Sequence, residues 1–147
     1  MTTDARALAV DAYNKAQDLL YSDRSPEEDY ELLTLAFVSK HYWKQAGGNL
    51  QFAIADWLIS RVFTELGSGE LAVEFSAMSL SYDQKNFPQW AIASMHEGAA
   101  RAFNCVGMEQ ECVAHIVLAQ AALELESNEE DASVIREQIQ SLARDRV

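Results

Sequence analysis

Apolar residues recur every three or four positions along nearly the whole chain, the spacing that gathers them on one face of an α-helix. The first stretch sets the pattern, with Ala5, Leu8, Ala9, Ala12, Tyr13, Ala16, Leu19 and Leu20 sharing a face. Ser25-Pro26-Glu27-Glu28 then restarts the chain. Ser25 can cap free backbone N–H groups, Pro26 suits the first helical position, and Glu28 completes a capping box. The spacing predicts a second helix ending at Ala46, before Gly47-Gly48, and a third from Leu50 to Leu66, capped by Asn49 and closed by Gly67. The third is apolar over most of its circumference (Phe52, Ile54, Trp57, Leu58, Ile59, Val62, Phe63, Leu66), which marks it as the most buried. Ser68 heads a fourth, from Glu70 to about Tyr82. Pro88 opens a fifth that closes at Gly107, and a sixth runs from Glu109 to Glu126. Ser127 and Glu130 suggest another capping box before a last helix carrying Ile135, Ile139 and Leu142. No strand-like alternation interrupts this series. The expectation is an all-α fold of about seven antiparallel helices in one domain, residues 1–147.

Two segments echo each other at a constant offset of 40 residues. Ser60-Arg61-Val62-Phe63 with Leu66-Gly67 matches Ala100-Arg101-Ala102-Phe103 with Val106-Gly107. A second amphipathic stretch follows each glycine. Such a period predicts helix-turn-helix units that bury their apolar faces by stacking on one another. The last helix then reads as a cap, since its apolar stripe is narrow and its other faces carry Glu129, Asp131, Arg136, Glu137 and Arg144.

Each unit resembles a tetratricopeptide repeat. It has a small residue (Ser60, Ala100), an aromatic three later (Phe63, Phe103), then Leu66-Gly67 or Val106-Gly107, and a thin residue five positions after the glycine (Ala72, Cys112). Ala122-Leu123-Glu124-Leu125-Glu126 is similar to the end of such a repeat. Asp56 and His96 stand where the motif begins with Trp, the repeat-ending Pro is missing, and the usual spacing of about 34 residues is exceeded. The resemblance covers roughly residues 50–126, with the first two helices as a divergent third unit. The tracts Ser39/His41/Trp43, Trp57-Leu58 with Ser60-Arg61-Val62, and Glu97/Arg101 are also similar to a bacterial group of helical proteins of this kind, for which no activity is established.

Composition narrows the partners. The chain has 11 basic and 23 acidic residues, a net charge of −12 that repels phosphate backbones and anionic membranes, so neither nucleic acid nor membrane is expected. No apolar run reaches the length of a membrane span. Met1-Thr2-Thr3-Asp4 lacks the basic start and apolar core of a signal peptide, which makes the cytoplasm the expected compartment. Two cysteines, Cys105 and Cys112, form no disulfide framework.

The candidate chemistry centres on Arg61 and Arg101. The tetratricopeptide resemblance implies that their shared position faces a concave groove that holds extended peptides. Trp57 and Glu97 stand one turn earlier, and Thr64 and Asn104 three residues later. An aromatic ring and two guanidinium groups suit a carboxylate or an acidic peptide. Against this stands the helical spacing of Glu97 and Arg101, which also suits an intrahelical ion pair, while Trp57 can be core. His41, Tyr42 and Trp43 end the second helix with aromatic surface that suits core packing or the same groove. Cys112 and His115 make only one weak ligand pair, so neither metal nor cofactor is expected. The leading expectation is a non-enzymatic scaffold that binds a protein or peptide through Trp57, Arg61, Glu97, Arg101, Asn104, His41 and Trp43. The alternatives are a small-ligand-sensing domain with a pocket between the second, third and fifth helices, and an enzyme using His41, His96 and Glu97. Homodimerisation is left open by the sequence.

Overall fold

A computed structural model of the chain describes residues 4–145; the reading of Met1-Thr2-Thr3 lies outside the described residues. Among these it contains seven α-helices and no strand: α1 (Ala5–Leu20), α2 (Pro26–Ala46), α3 (Asn49–Glu65), α4 (Gly69–Leu80), α5 (Gln89–Cys105), α6 (Glu109–Glu124) and α7 (Glu129–Asp145). Among the described residues no helix is long and apolar enough to cross a membrane.

The helix ends follow local chemistry. Ser25 and Glu28 form the expected capping box, with Glu28 N–H donating to Ser25 Oγ at 3.3 Å and Ser25 N–H to Glu28 Oε1 at 3.2 Å. Three starts differ from the sequence reading. Asn49 is the first residue of α3 rather than its cap, because Gln51 Oε1 reaches back to Gly48 N–H at 2.9 Å. Ser68 occupies the cap position of α4 without a side-chain bond. Asn128, not Ser127, caps α7, its Oδ1 accepting from Asp131 N–H at 3.1 Å. The glycine stops of α3 and α5 are alike: Gly67 and Gly107 take φ of +80° and +76°, in the left-handed region that favours glycine. In both, the following N–H reaches five residues back, Ser68 to Phe63 O at 2.8 Å and Met108 to Phe103 O at 2.9 Å. The turn geometry therefore repeats with the sequence.

Helices α1 and α2, α3 and α4, and α5 and α6 pack as sequential pairs; α3 also touches α1, α2 and α5, and α7 lies on α5 and α6. Burial in the second helix of each pair steps by the same 40 residues, at Leu32, Ala72 and Cys112 and again at Ser39, Ser79 and Ala119. Small residues at most of these places let the backbones approach closely. Where serine stands there or opposite, its hydroxyl needs an acceptor inside the contact, and a helix carbonyl supplies it. Ser39 Oγ donates to Ala9 O at 3.0 Å, Ser79 Oγ to Ala53 O at 2.7 Å, and Ser60 Oγ to Ala72 O at 2.7 Å. The main core joins Leu32, Leu58, Ile59, Val62 and Phe63. Helix α3 is buried continuously from Ala55 to Phe63, as its apolar circumference predicted.

Candidate functional site

The first helices of the pairs, together with α7, wall a cavity of about 910 Å³. Tyr13, Gln17 and Tyr21 come from the α1 side, Trp57 and Arg61 from α3, Trp90, Ser94 and Arg101 from α5, and Glu137, Gln138 and Arg144 from α7. Helix α2 contributes nothing to this wall, so the cavity is displaced from the place between α2, α3 and α5 that the sequence suggested.

Behind the wall, Glu97 pairs with two of its residues, Arg61 and Arg101. Its carboxylate is fully buried, and a guanidinium group meets each oxygen. Arg61 Nη1 donates to Oε2 at 3.1 Å from α3, and Arg101 Nε donates to Oε1 at 2.7 Å within α5. Arg101 Nη2 reaches onward to Gln138 O in α7 at 2.8 Å. The Glu97–Arg101 ion pair that helical spacing suggested is thus present, and Arg61 joins it. The cluster of Arg61, Arg101 and Glu97 carries one net positive charge in a protein of −12, and α7 adds Arg144, Asp131 and Glu137 to the wall.

Two buried N–H donors beside it, Trp57 Nε1 and Arg61 Nε, have no partner among the described residues. Trp57 lies on Gly98, where a Cβ would come within 2.8 Å of indole Cδ1 and 2.9 Å of Nε1. Glycine in mid-helix disfavours α5 locally, and this contact explains its presence. The side chain of the same Gln138 donates through Nε2 to Tyr21 Oη at 3.4 Å, bridging the end of α1 to α7.

The other sequence candidates lie apart from the charge cluster. Trp43 is core, packed with Ala9 and Ala55 and covered by the Arg6 guanidinium 5.2 Å from its ring centre. His41 is exposed, its Nε2 3.2 Å from Gln45 Nε2 and its ring edge-on to Tyr42. Asn104 is half-buried near the end of α5 and is not part of the cavity wall. His96 faces α6, where its Nδ1 lies 2.9 Å from that of His115; Phe103 stacks on the second ring. Burial, with the neighbouring ring second, lowers His96 to about 4, and burial also lowers His115. No hydrogen bond or ring contact among the described residues joins any two of His41, His96 and Glu97.

Sequence reasoning missed Tyr13, Gln17, Tyr21, Trp90 and Ser94 in the cavity wall. A signal for the first two existed. Aligning buried Ala16 with Ser60 and Ala100 places Tyr13 and Gln17 where α3 has Trp57 and Arg61 and α5 has Glu97 and Arg101. Also missed was a second buried charge, Asp56, held by Lys40 Nζ at 2.6 Å and Tyr82 Oη at 3.0 Å. Burial, followed by this carboxylate, raises the Tyr82 hydroxyl above its ordinary value. Cys112 packs with Ala100 and Leu142, a small apolar role, and no group of three potential metal ligands gathers among the described residues.

Comparison with known proteins finds no matching family model, no matching curated protein and no matching solved structure.

Proposed function

We propose that this protein is a cytoplasmic, tetratricopeptide-like scaffold of antiparallel helix pairs that holds a carboxylate-bearing peptide of a partner protein in the cavity walled by α1, α3, α5 and α7. The observation that carries the reading is the pair of unpartnered buried donors, Trp57 Nε1 and Arg61 Nε, beside a cluster of net positive charge. Unsatisfied buried N–H groups are uncommon and costly, and an incoming acceptor relieves them. The repeated glycine turns and the 40-residue step in burial support the repeat architecture.

Selection from a random peptide library on immobilised protein tests this reading. Enriched peptides are expected to share a carboxylate and to lose binding when it is amidated. Ser94→Trp and Gln17→Trp, which fill the cavity from opposite walls, are expected to abolish binding while the protein still melts as wild type. Equal binding to the filled variants, or no enrichment at all, refutes it.

A second reading, a small-ligand sensor, draws on the cavity's size, which lies within the usual range of about 300–1,000 Å³ for small-molecule sites, and on the Tyr21–Gln138 bridge across it. Thermal stabilisation by small organic acids, lost in Ser94→Trp, with no peptide selected, favours this alternative.

A further inference from the structure

Helix α6 touches α5 on one side and α7 on another, and among the described residues no other helix covers its remaining face. That face is mostly apolar: Val113, Val117 and Leu118 are 42%, 56% and 47% exposed, with exposed Ala114, Gln120 and Ala121 among them, and Leu125 just past the helix end is 71% exposed. The 40-residue step makes the composition informative. Val73 and Met78 of α4 have apolar counterparts in Val113 and Leu118, Glu74 and Ala77 give way to Ala114 and Val117, and Leu80 gives way to Gln120. The stretch 113–123 contains no Asp, Glu, Lys or Arg, in a chain of net charge −12. An exposed apolar stripe about three turns long, rimmed by charge, marks an interaction surface more often than a solvated one.

The rim identifies the occupant. Both ends of α6 are acidic, with Glu111 in the first turn and Glu124 in the last, and the helix has no Lys or Arg. Two copies of α6 laid along each other bring carboxylates together in either orientation. A helix with an apolar centre and basic residues at both ends is matched in either orientation. We infer that the outer face of α6 docks an amphipathic helix of a partner protein whose apolar stripe is bounded at each end by Lys or Arg. This surface is separate from the cavity between α1, α3, α5 and α7.

The probe is a synthetic helical peptide of about 18 residues with a Leu/Ala stripe and a pair of Lys at each end, long enough to cover the stripe; a second peptide replaces every Lys by Glu. Titration of the full chain by fluorescence anisotropy at low salt is expected to give at least ten-fold tighter binding of the Lys-ended peptide, weakening as salt is raised. The neutral double variant Val117→Gln/Leu118→Gln is expected to lose at least ten-fold in affinity with an unchanged melting temperature. Ser94→Trp, which blocks the cavity, is expected to bind the peptide as wild type does. Equal affinity for the two peptides, or binding indifferent to the double variant, overturns the inference. So does a concentration-dependent dimer in sedimentation that the double variant disperses, because the occupant is then a second copy.

Discussion

Replacing Arg61 and Arg101 together by Met tests whether Glu97 is held by the protein itself. The double variant removes Nη1 from one carboxylate oxygen and Nε from the other, and leaves the charge at 0% exposure. An uncompensated buried charge of this kind costs about 3–5 kcal/mol. For a domain whose total stability is on the order of 5–15 kcal/mol, that is a large fraction. At roughly 2–4 °C per kcal/mol for a chain of this size, the melting temperature falls by about 6–20 °C. Arg61→Met alone leaves the Arg101 bond in place, and a loss of about 2 kcal/mol is expected. Adding Glu97→Met to the double variant removes the stranded charge, and stability should return to within about 2 kcal/mol of wild type, since apolar replacement of a whole buried ionic cluster is often neutral. Urea unfolding followed by far-UV circular dichroism measures all four proteins. A double variant within about 1 kcal/mol of wild type refutes the reasoning, because it means that water already reaches Glu97.

The His96–His115 pair makes stability depend on pH. Both rings take up protons less readily in the fold than in the unfolded chain, so their contribution is complete above about 6.5 and fades as pH falls toward the His96 value of about 4. His96→Gln should flatten the stability profile over that window by roughly 1–2 kcal/mol after solvent screening, and an unchanged profile contradicts the burial of this ring beside His115. Gly98→Ala brings a methyl group within 2.8 Å of the Trp57 ring, and a loss of about 1–3 kcal/mol is expected despite alanine's better helix propensity; a crystal structure with an unmoved indole and full stability rejects that. Truncation after Ser127 uncovers Ala93, Ala119, Ala122 and Leu123 and takes Gln138 from Arg101, which should produce aggregation or dimerisation on size exclusion. A truncated monomer of unchanged melting temperature refutes the capping role of α7.

What the sequence made legible was local. Helical spacing, the Ser25–Glu28 box and the glycine stops are short-range effects, and they located all seven helices. The Glu97–Arg101 pair was visible for the same reason, being one turn apart on one helix. Arg61 could be associated with it only through the repeat. Contacts between helices without such an echo stayed hidden. His96 and His115 are 19 residues apart and Lys40 and Asp56 are 16 apart, and no local rule selects those pairings. The identity of the cavity wall depended on α1 and α7, whose approach through Tyr21 and Gln138 spans 117 positions. The reason for Gly98, the Trp57 indole, lies on another helix, where no local rule reaches it.

The Arg61–Glu97–Arg101 cluster has a consequence for how the chain comes apart. Stacked helix pairs that touch only their neighbours tend to fray from their ends, each pair opening with its own free energy. Here a chain of charge-assisted bonds runs from α3 through α5 to the backbone of α7. Detaching α7 removes a partner from Arg101, which loosens the grip on Glu97 and through it on Arg61. Amide hydrogens at the centres of α3, α5 and α7 should therefore exchange together, through one shared opening, rather than in a graded series from the last helix inward.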